Sequence, residues 1–557
     1  MTHFKQHRLS FVLMSAGLIT SSFAFAANPP DAGQTLQEVA PTLEAPRVSP
    51  EINIEAPALT EVLPGGASVT LQSITIKGNT LFNESVLKAV LGDVVGKTYD
   101  MAGLKSIANQ ITSYYRNNGY PFAHAYIPAQ PINEGALRIE ILEGQYGQVQ
   151  AVGDDTIISQ AGKFLSALVS GKVIQSKSLE RAALIVDDLP GIRAVPIIRP
   201  GQEVGTGDLD VQIERDGRFG GDVGLDNHGN RFTGRSRAKV NLNADSPFMM
   251  GDRITINSLY SEEDMWQGSL GYSLPLGGSG LRGNARYSHS YYELAKDYAN
   301  LQAHGTAKVT SLGLSYPLVR SQKANLTLAA TYQHKKLNDQ QDVASTSKNK
   351  FSNSLPVTMS FDLRDGLAGG GVTYGNVSWT HGVLNLDKEL NAIDRLTAKT
   401  NGDFDKLNID IARQQALPAN FTLYSRVSAQ LTTDNLDSSE DFGLGGANGV
   451  RAYPSGEGYG DEGWLAQVEL RYSATLANAV TLSPYAFYDS GSVRINHKTW
   501  DKAENTRSVT GTGLGLRAYY KDFNADASFA WRAYGGVPQS DTKQYQPIVW
   551  VNAGYKF

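Results

Sequence analysis

Two residues in the last third of the chain carry opposite charges in settings that invite pairing. Arg451 lies in Val450-Arg451-Ala452-Tyr453, directly after the glycine-rich run from Gly443 to Gly449. Asp489 lies in Phe487-Tyr488-Asp489-Ser490-Gly491. The chemistry on offer is recognition, because a guanidinium fork grips a carboxylate through two parallel hydrogen bonds. Covalent chemistry has no comparable candidates. The sequence contains no Gly-x-Ser-x-Gly elbow, no His-Glu-x-x-His and no phosphate loop. Gly456-Glu457-Gly458-Tyr459-Gly460 reads as a flexible loop, and Gly511-Thr512-Gly513-Leu514-Gly515 falls inside a strand pattern. The 9 His are scattered without metal-ligand spacing. The absence of Cys removes thiolate nucleophiles, thiolate metal sites and disulfides. No enzyme activity, metal or cofactor is implied.

Asp489 belongs to a strand pattern that fixes where it points. Val480, Leu482, Ala486 and Tyr488 share one face, so Asp489 falls on the other with Thr481, Ser483, Tyr485 and Phe487. Similar alternating segments recur from Arg218 to the end. Ala238, Val240, Leu242 and Ala244 alternate with Arg237, Lys239, Asn241 and Asn243; Trp464, Ala466, Val468, Leu470 and Tyr472 alternate with Gln467, Glu469 and Arg471. The last residues put Val549, Val551, Ala553, Tyr555 and Phe557 on one face, with Trp550 the one large apolar residue on the other. Apolar-out and polar-in strands of about ten residues, with aromatics at their ends, predict a membrane β-barrel of about sixteen antiparallel strands over 218–557. Tyr555 and terminal Phe557 read as its closing signal. A soluble sandwich also alternates, but leaves the charges on the second face unexplained. The mild net charge of −5 gives no support to a nucleic-acid partner.

Ahead of the barrel the chain changes character three times. Lys5, His7 and Arg8, an apolar run from Phe11 to Ile19, and Ala24-Phe25-Ala26 form a secretory signal peptide over 1–26. Residues 27–68 carry Pro29, Pro30, Pro41, Pro46, Pro50, Pro57 and Pro64, which reads as an extended tether. Asp31 to Ala40 forms a possible helix there, with Leu36, Val39 and Ala40 on one side. Residues 69–217 hold a degenerate repeat. Ile74-Thr75-Ile76-Lys77-Gly78 aligns with Val149-Gln150-Ala151-Val152-Gly153. Leu104, Ile107, Ala108 and Ile111 match the helical spacing of Leu179, Ala182, Ala183 and Val186. Two tandem α+β modules follow, 69–144 and 145–217, each reading strand, helix, helix, strand, strand.

Signal, Pro-rich tether, two modules and barrel resemble the plan of the two-partner secretion transporters, the hemolysin and filamentous-adhesin secretion/activation proteins of the outer-membrane assembly superfamily. The two motifs sharpen the resemblance. Val450-Arg451-Ala452-Tyr453 is similar to the family's Val-Arg-Gly-Tyr at the tip of a long loop that folds back into the pore, here near 436–460. Phe487-Tyr488-Asp489-Ser490-Gly491 is similar to its Phe-x-Asp-x-Gly on the thirteenth strand. Ala452 departs from the family glycine, so a different local turn is expected there. The resemblance implies a loop–barrel lock formed by Arg451 and Asp489 with Val450, Tyr453, Phe487 and Gly491. At contact and an effective dielectric of about 20, such a pair is worth on the order of 4 kcal/mol before desolvation.

The resemblance further implies periplasmic POTRA modules that recognise the N-terminal secretion domain of a dedicated exoprotein, of adhesin or hemolysin type. The client crosses the outer membrane unfolded and without ATP, and the segment 31–40 plugs the resting pore. Outer-membrane lipid and the barrel-assembly machinery are the other partners, and the transporter acts as a monomer. A barrel-assembly insertase of the same superfamily and a passive solute channel are the alternatives. Two modules are fewer than an insertase typically carries, and a channel has no use for them.

Overall fold

The computed structural model describes residues 29–49, 58–59, 61–153, 155–476 and 479–557. The expected signal peptide at 1–26 and residues 50–57 of the tether lie outside them.

In the first module, strand Ser73–Lys77 pairs in parallel with Ala136–Leu142, which takes His124–Tyr126 antiparallel on its other edge. The helix Met101–Asn117 begins at Asp100, whose carboxylate accepts from the Gly103 amide, a standard N-cap. Its Leu104, Ile107, Ala108 and Ile111 are buried in one cluster with Leu137, Ile139 and Ile141 of the sheet. The second module repeats the arrangement with Gln145–Gly153, Thr206–Arg215 and Ile192–Pro200, and its helix Ser176–Asp187 buries Leu179, Ala182, Ala183 and Val186. The repeat has a physical mark in its glycines. Gly78 and Gly153 both take positive φ, and a Cβ on either would sit 2.3 or 2.2 Å from the carbonyl of Ile141 or Ile213 respectively. Only glycine fits both demands. At the end of the first module Glu143 is buried and accepts from the Thr80 and Leu81 amides at 2.7 and 2.9 Å and from the Tyr115 hydroxyl at 2.9 Å. Burial and that carboxylate push the Tyr115 phenol well above its ordinary range.

Sixteen antiparallel strands close into a barrel, each bonded to its chain neighbours, with the last (Ile548–Lys556) returning to the first (Phe219–Asp226). Burial inverts the rule for soluble proteins. Outward Trp464, Val468 and Leu470 are exposed, while inward Gln467 and Glu469 of the same strand are buried. The closing seam is short: five register pairs, extended by reciprocal backbone bonds between Phe557 and Gly221. At its other end Asn227 clamps the last strand, donating to the Val549 carbonyl and accepting from the Val551 amide at 2.8 Å each.

The second module is seated on the barrel's near rim. Met250, from the turn between the second and third strands of the barrel, completes the module's apolar core. Arg320, at the end of a long strand, grips Asp188 of the module through two bonds of 2.6 and 2.7 Å. Arg181 of the module's helix donates to the Pro317 carbonyl at 2.6 Å.

Residues 29–49 thread the lumen. At the rim far from the modules, Asp31 meets Lys350 at 3.3 Å near the start of strand Thr346–Asp365. At the near rim, Arg364 of that strand donates to the Arg47 carbonyl at 2.8 Å, and Arg320 donates to Ser49 at 3.0 Å. The helix within this segment, Ala32–Glu38, buries Ala32, Gly33 and Thr35. On the side that carries the apolar residues, Leu36 and Val39 are half-buried and Ala40 is exposed. Ala32 packs in an apolar cluster with Tyr292, Leu294 and Ala303, and Val39 rests against the same cluster. The loop comes close on the other side, where a Cβ on Gly33 would lie 2.3 Å from the Ser438 hydroxyl.

Candidate functional site in the barrel lumen

The eleventh strand, Phe421–Thr432, and the twelfth, Glu462–Tyr472, are joined by residues 433–461, which turn back into the lumen. Backbone bonds make the tip compact: Leu444 donates to Gly458, Gly445 to Glu457, Gly446 to Tyr453 and Val450 to Leu444, all between 2.7 and 3.0 Å. The glycine run permits this folding. A Cβ on Gly449 would sit 2.0 Å from the Leu444 carbonyl.

Arg451 is buried at the tip and spends its donors on the barrel wall. Its Nε and Nη2 donate to the two oxygens of Asp489 at 2.8 and 2.7 Å, and its backbone amide to the same carboxylate at 3.1 Å. Nη1 donates to Glu469 at 2.5 Å. The guanidinium lies 3.6 Å above the Phe487 ring centroid, so the aromatic face supports the cation from beneath. Asp489 is 0% exposed and Glu469 4%, which removes both carboxylates from bulk water. Charge balance is local. Arg451, Arg471 and Arg517 meet Asp489, Glu469 and Asp526 in one connected group of three cations and three anions. Removing one partner of such a buried pair leaves an uncompensated charge and costs about 3–5 kcal/mol.

The other expected site residues lie around this pair. Val450 is fully buried. The Tyr453 hydroxyl lies 2.8 Å from the Tyr534 carbonyl and 3.0 Å from that of Gly536. Gly491 leaves room for Leu444, whose Cδ2 would be 2.7 Å from a Cβ there. Tyr555 and Phe557 stand apart from the lock. They sit at the near rim with stacked rings 6.3 Å apart, and Phe557 is exposed. Ala452 does not take a positive φ. Its methyl instead rests on Gly511, where an added Cβ would come within 2.4 Å. The substitution of alanine in the motif is accommodated across the barrel.

Several participants were not singled out from the sequence. Gly511, Gly513 and Gly515 form an inward stripe that admits Ala452, Phe487 and Tyr485 in turn. Trp550 donates its indole N–H to the Arg451 carbonyl at 2.7 Å and takes the His228 ring edge-on. Its position as the lone large apolar residue on an inward face was the available signal. Glu469 shares the inward parity of Gln467, and Gln467 donates to the Gly449 carbonyl at 2.9 Å. A second buried pair, Arg507 with Glu457 at 2.6 Å, holds the returning limb of the loop.

Residues 205–518 match the family described as haemolysin secretion/activation protein ShlB/FhaC/HecB, and residues 69–144 match the ShlB-type POTRA domain. The first match spans more than half the chain. The chain belongs to the haemolysin secretion/activation family. Members of this family are outer-membrane β-barrel transporters with periplasmic POTRA domains. The Heme/hemopexin transporter protein HuxB of Haemophilus influenzae (strain 86-028NP) is 26% identical over 525 residues, covering 90% of this chain and 91% of that one. The Outer membrane transporter CdiB of Dickeya dadantii is 23% identical over 552 residues, covering 94% and 95%. The solved structure of CdiB from Escherichia coli superposes with a TM-score of 0.73 at 20% identity, covering 90% of this chain and 94% of that one, a likeness of fold.

In this transporter Trp550→Phe keeps a six-membered aromatic ring but loses the pyrrole ring with its N–H, leaving the buried Arg451 carbonyl without that donor. The loss of about 1.4 kcal/mol corresponds to roughly ten-fold faster amide exchange across 449–453. Hydrogen-exchange mass spectrometry checks this, with the barrel strands serving as the unchanged internal control.

Proposed function

We propose that the transporter moves one dedicated exoprotein, of adhesin or hemolysin type, from periplasm to surface through the lumen now threaded by residues 29–49. The observation that carries this reading is the threading itself. A polypeptide runs the length of the barrel beside the loop tip, in contact with polar groups on both sides. A conduit that accepts this chain's own extended segment suits an unfolded client.

The POTRA modules receive the client's N-terminal secretion domain. Their sheets leave strand edges open, and an extended client adds a strand there by main-chain hydrogen bonding. Binding and folding of the client at the surface, rather than nucleotide hydrolysis, supply direction. Residues 29–49 occupy the pore at rest. Their far end is latched: Asp31 accepts from Ser438 at 2.6 Å and pairs with Lys350, Lys350 pairs with Asp437 at 2.7 Å, and Asp339 accepts from the Ala32 amide at 2.8 Å. Arg451 and Asp489 fix the loop that forms the other wall of the conduit. The protein acts as a monomer inserted by the barrel-assembly machinery, with Tyr555 and Phe557 as the terminal signal.

Arg451→Ala leaves the barrel folded and heat-modifiable in the outer membrane, while client in the culture medium falls at least ten-fold. Secretion at the parent level removes the lock role. Deleting Asp31 to Ala40 raises single-channel conductance in planar bilayers several-fold and changes secretion much less. Unchanged conductance means that the loop alone closes the pore.

A further inference from the structure

The lipid face of the barrel carries a trench that follows one row of cross-strand pairs. Ala518 pairs with Ala525, Ala525 with Ala553, Ala553 with Leu225 and Leu225 with Ala238. Five adjacent strands, including both strands of the closing seam, thus present methyl groups along one line, with one leucine. The next row toward the near rim is bulky: Tyr520 pairs with Phe523 and Phe523 with Tyr555, whose rings pack at 4.5 Å. On the other side stand Leu516 and Val551, in register with Ala527 between them. The alanine floor, with Tyr520, Phe523, Tyr555 and Val480 around it, lines a concavity of about 570 Å³ on the outer surface, and Leu516 and Val551 lie beyond it. The rows are two residues apart, so the trench lies about 7 Å inside the aromatic row.

The floor is uncharged and faces the hydrocarbon of the bilayer, which decides what chemistry fills it. The rim supplies a second contact. Exposed Lys521, in the turn between strands Thr506–Tyr520 and Phe523–Tyr534, holds its ammonium 5.4 Å from the centroid of the Tyr520 ring. A cation at an aromatic rim, with an apolar trench directly inside it, matches a phosphate diester with acyl chains attached.

We propose that this trench is a phospholipid site of the periplasmic leaflet, with one acyl chain lying along the alanine row and the phosphate meeting Lys521. The occupant spans strands on both sides of the seam, where only five register pairs join the first strand to the last. Filling the trench therefore adds contacts across the barrel's shortest junction, and the bound lipid stabilises closure.

The test uses the purified full-length protein in detergent with dioleoyl phosphatidylethanolamine as the added probe, read by native mass spectrometry and by the midpoint of heat modifiability. The parent retains one lipid, and its midpoint rises with added lipid. The double substitution Ala525→Leu with Ala553→Leu fills the floor, cuts retention at least ten-fold and abolishes the lipid-dependent rise. Lys521→Gln leaves the floor intact and cuts retention about three-fold, which keeps the proposal testable if the filled variant does not fold. Equal retention by parent, filled variant and Lys521→Gln overturns it. So does a parent that retains no lipid, or one whose trench is filled by a second copy, seen as a dimer that the filled variant abolishes.

Discussion

A single guanidinium, Arg451, fixes how the lumen is divided. It reaches Asp489 on the thirteenth strand with two donors and Glu469 on the twelfth with a third, and the backbone amide of the same residue adds another bond to Asp489. An ion pair so far from bulk water is stable only when its geometry is complete, because desolvation of each charge costs several kcal/mol. The surroundings meet that condition. Phe487 lies under the cation, Trp550 satisfies the carbonyl of the same residue, and Arg471 and Arg517 balance the second carboxylate. The loop tip is therefore held by one connected charge group, and Arg507 with Glu457 holds the returning limb separately.

The same loop has a second role through its descending limb. Asp437 and Ser438 both contact Lys350, and Ser438 donates to Asp31 at the start of the threaded helix. Glu440 on that limb is buried and paired with Lys335 and Lys406 of the facing wall. The limb is thus tied to the wall by one set of charges and to the threaded segment by another. The contacts that hold the segment, at Asp31, Ala32 and Gln37, are separate from the Arg451 group. Apolar packing adds to the hold, with Ala32 and Val39 against a cluster that includes Phe232, Leu259 and Tyr292.

The architecture was legible because a barrel strand writes its environment into alternation. The inward parity of Asp489 followed from Val480, Leu482, Ala486 and Tyr488 alone, and the module helices followed from i, i+3, i+4, i+7 spacing. Partners across strands were not legible. Glu469 reaches Arg451 because its strand pairs Glu469 with Phe487 and Gln467 with Asp489, and that register is set by the folded sheet. The glycines at 511, 513 and 515 read only as part of a strand, because what they admit, Ala452, Phe487 and Tyr485, comes from elsewhere in the chain. Which face of the helix Ala32–Glu38 is buried was not legible, because distant segments cover it: Tyr292 and Ala303 of the wall beside Ala32, and Ser438 of the loop beside Gly33.

The central claim is that the fork of Arg451, and not its charge alone, holds the loop. Arg451→Lys tests it most directly, since lysine keeps the cation and loses the planar pair of donors that Asp489 accepts. Secretion into the medium and hydrogen exchange of residues 443–460 are measured on the same preparation. The expected result is faster exchange throughout the tip and a secretion defect approaching that of a truncated side chain, with heat modifiability unchanged. Parent-level exchange and parent-level secretion in Arg451→Lys would contradict the account.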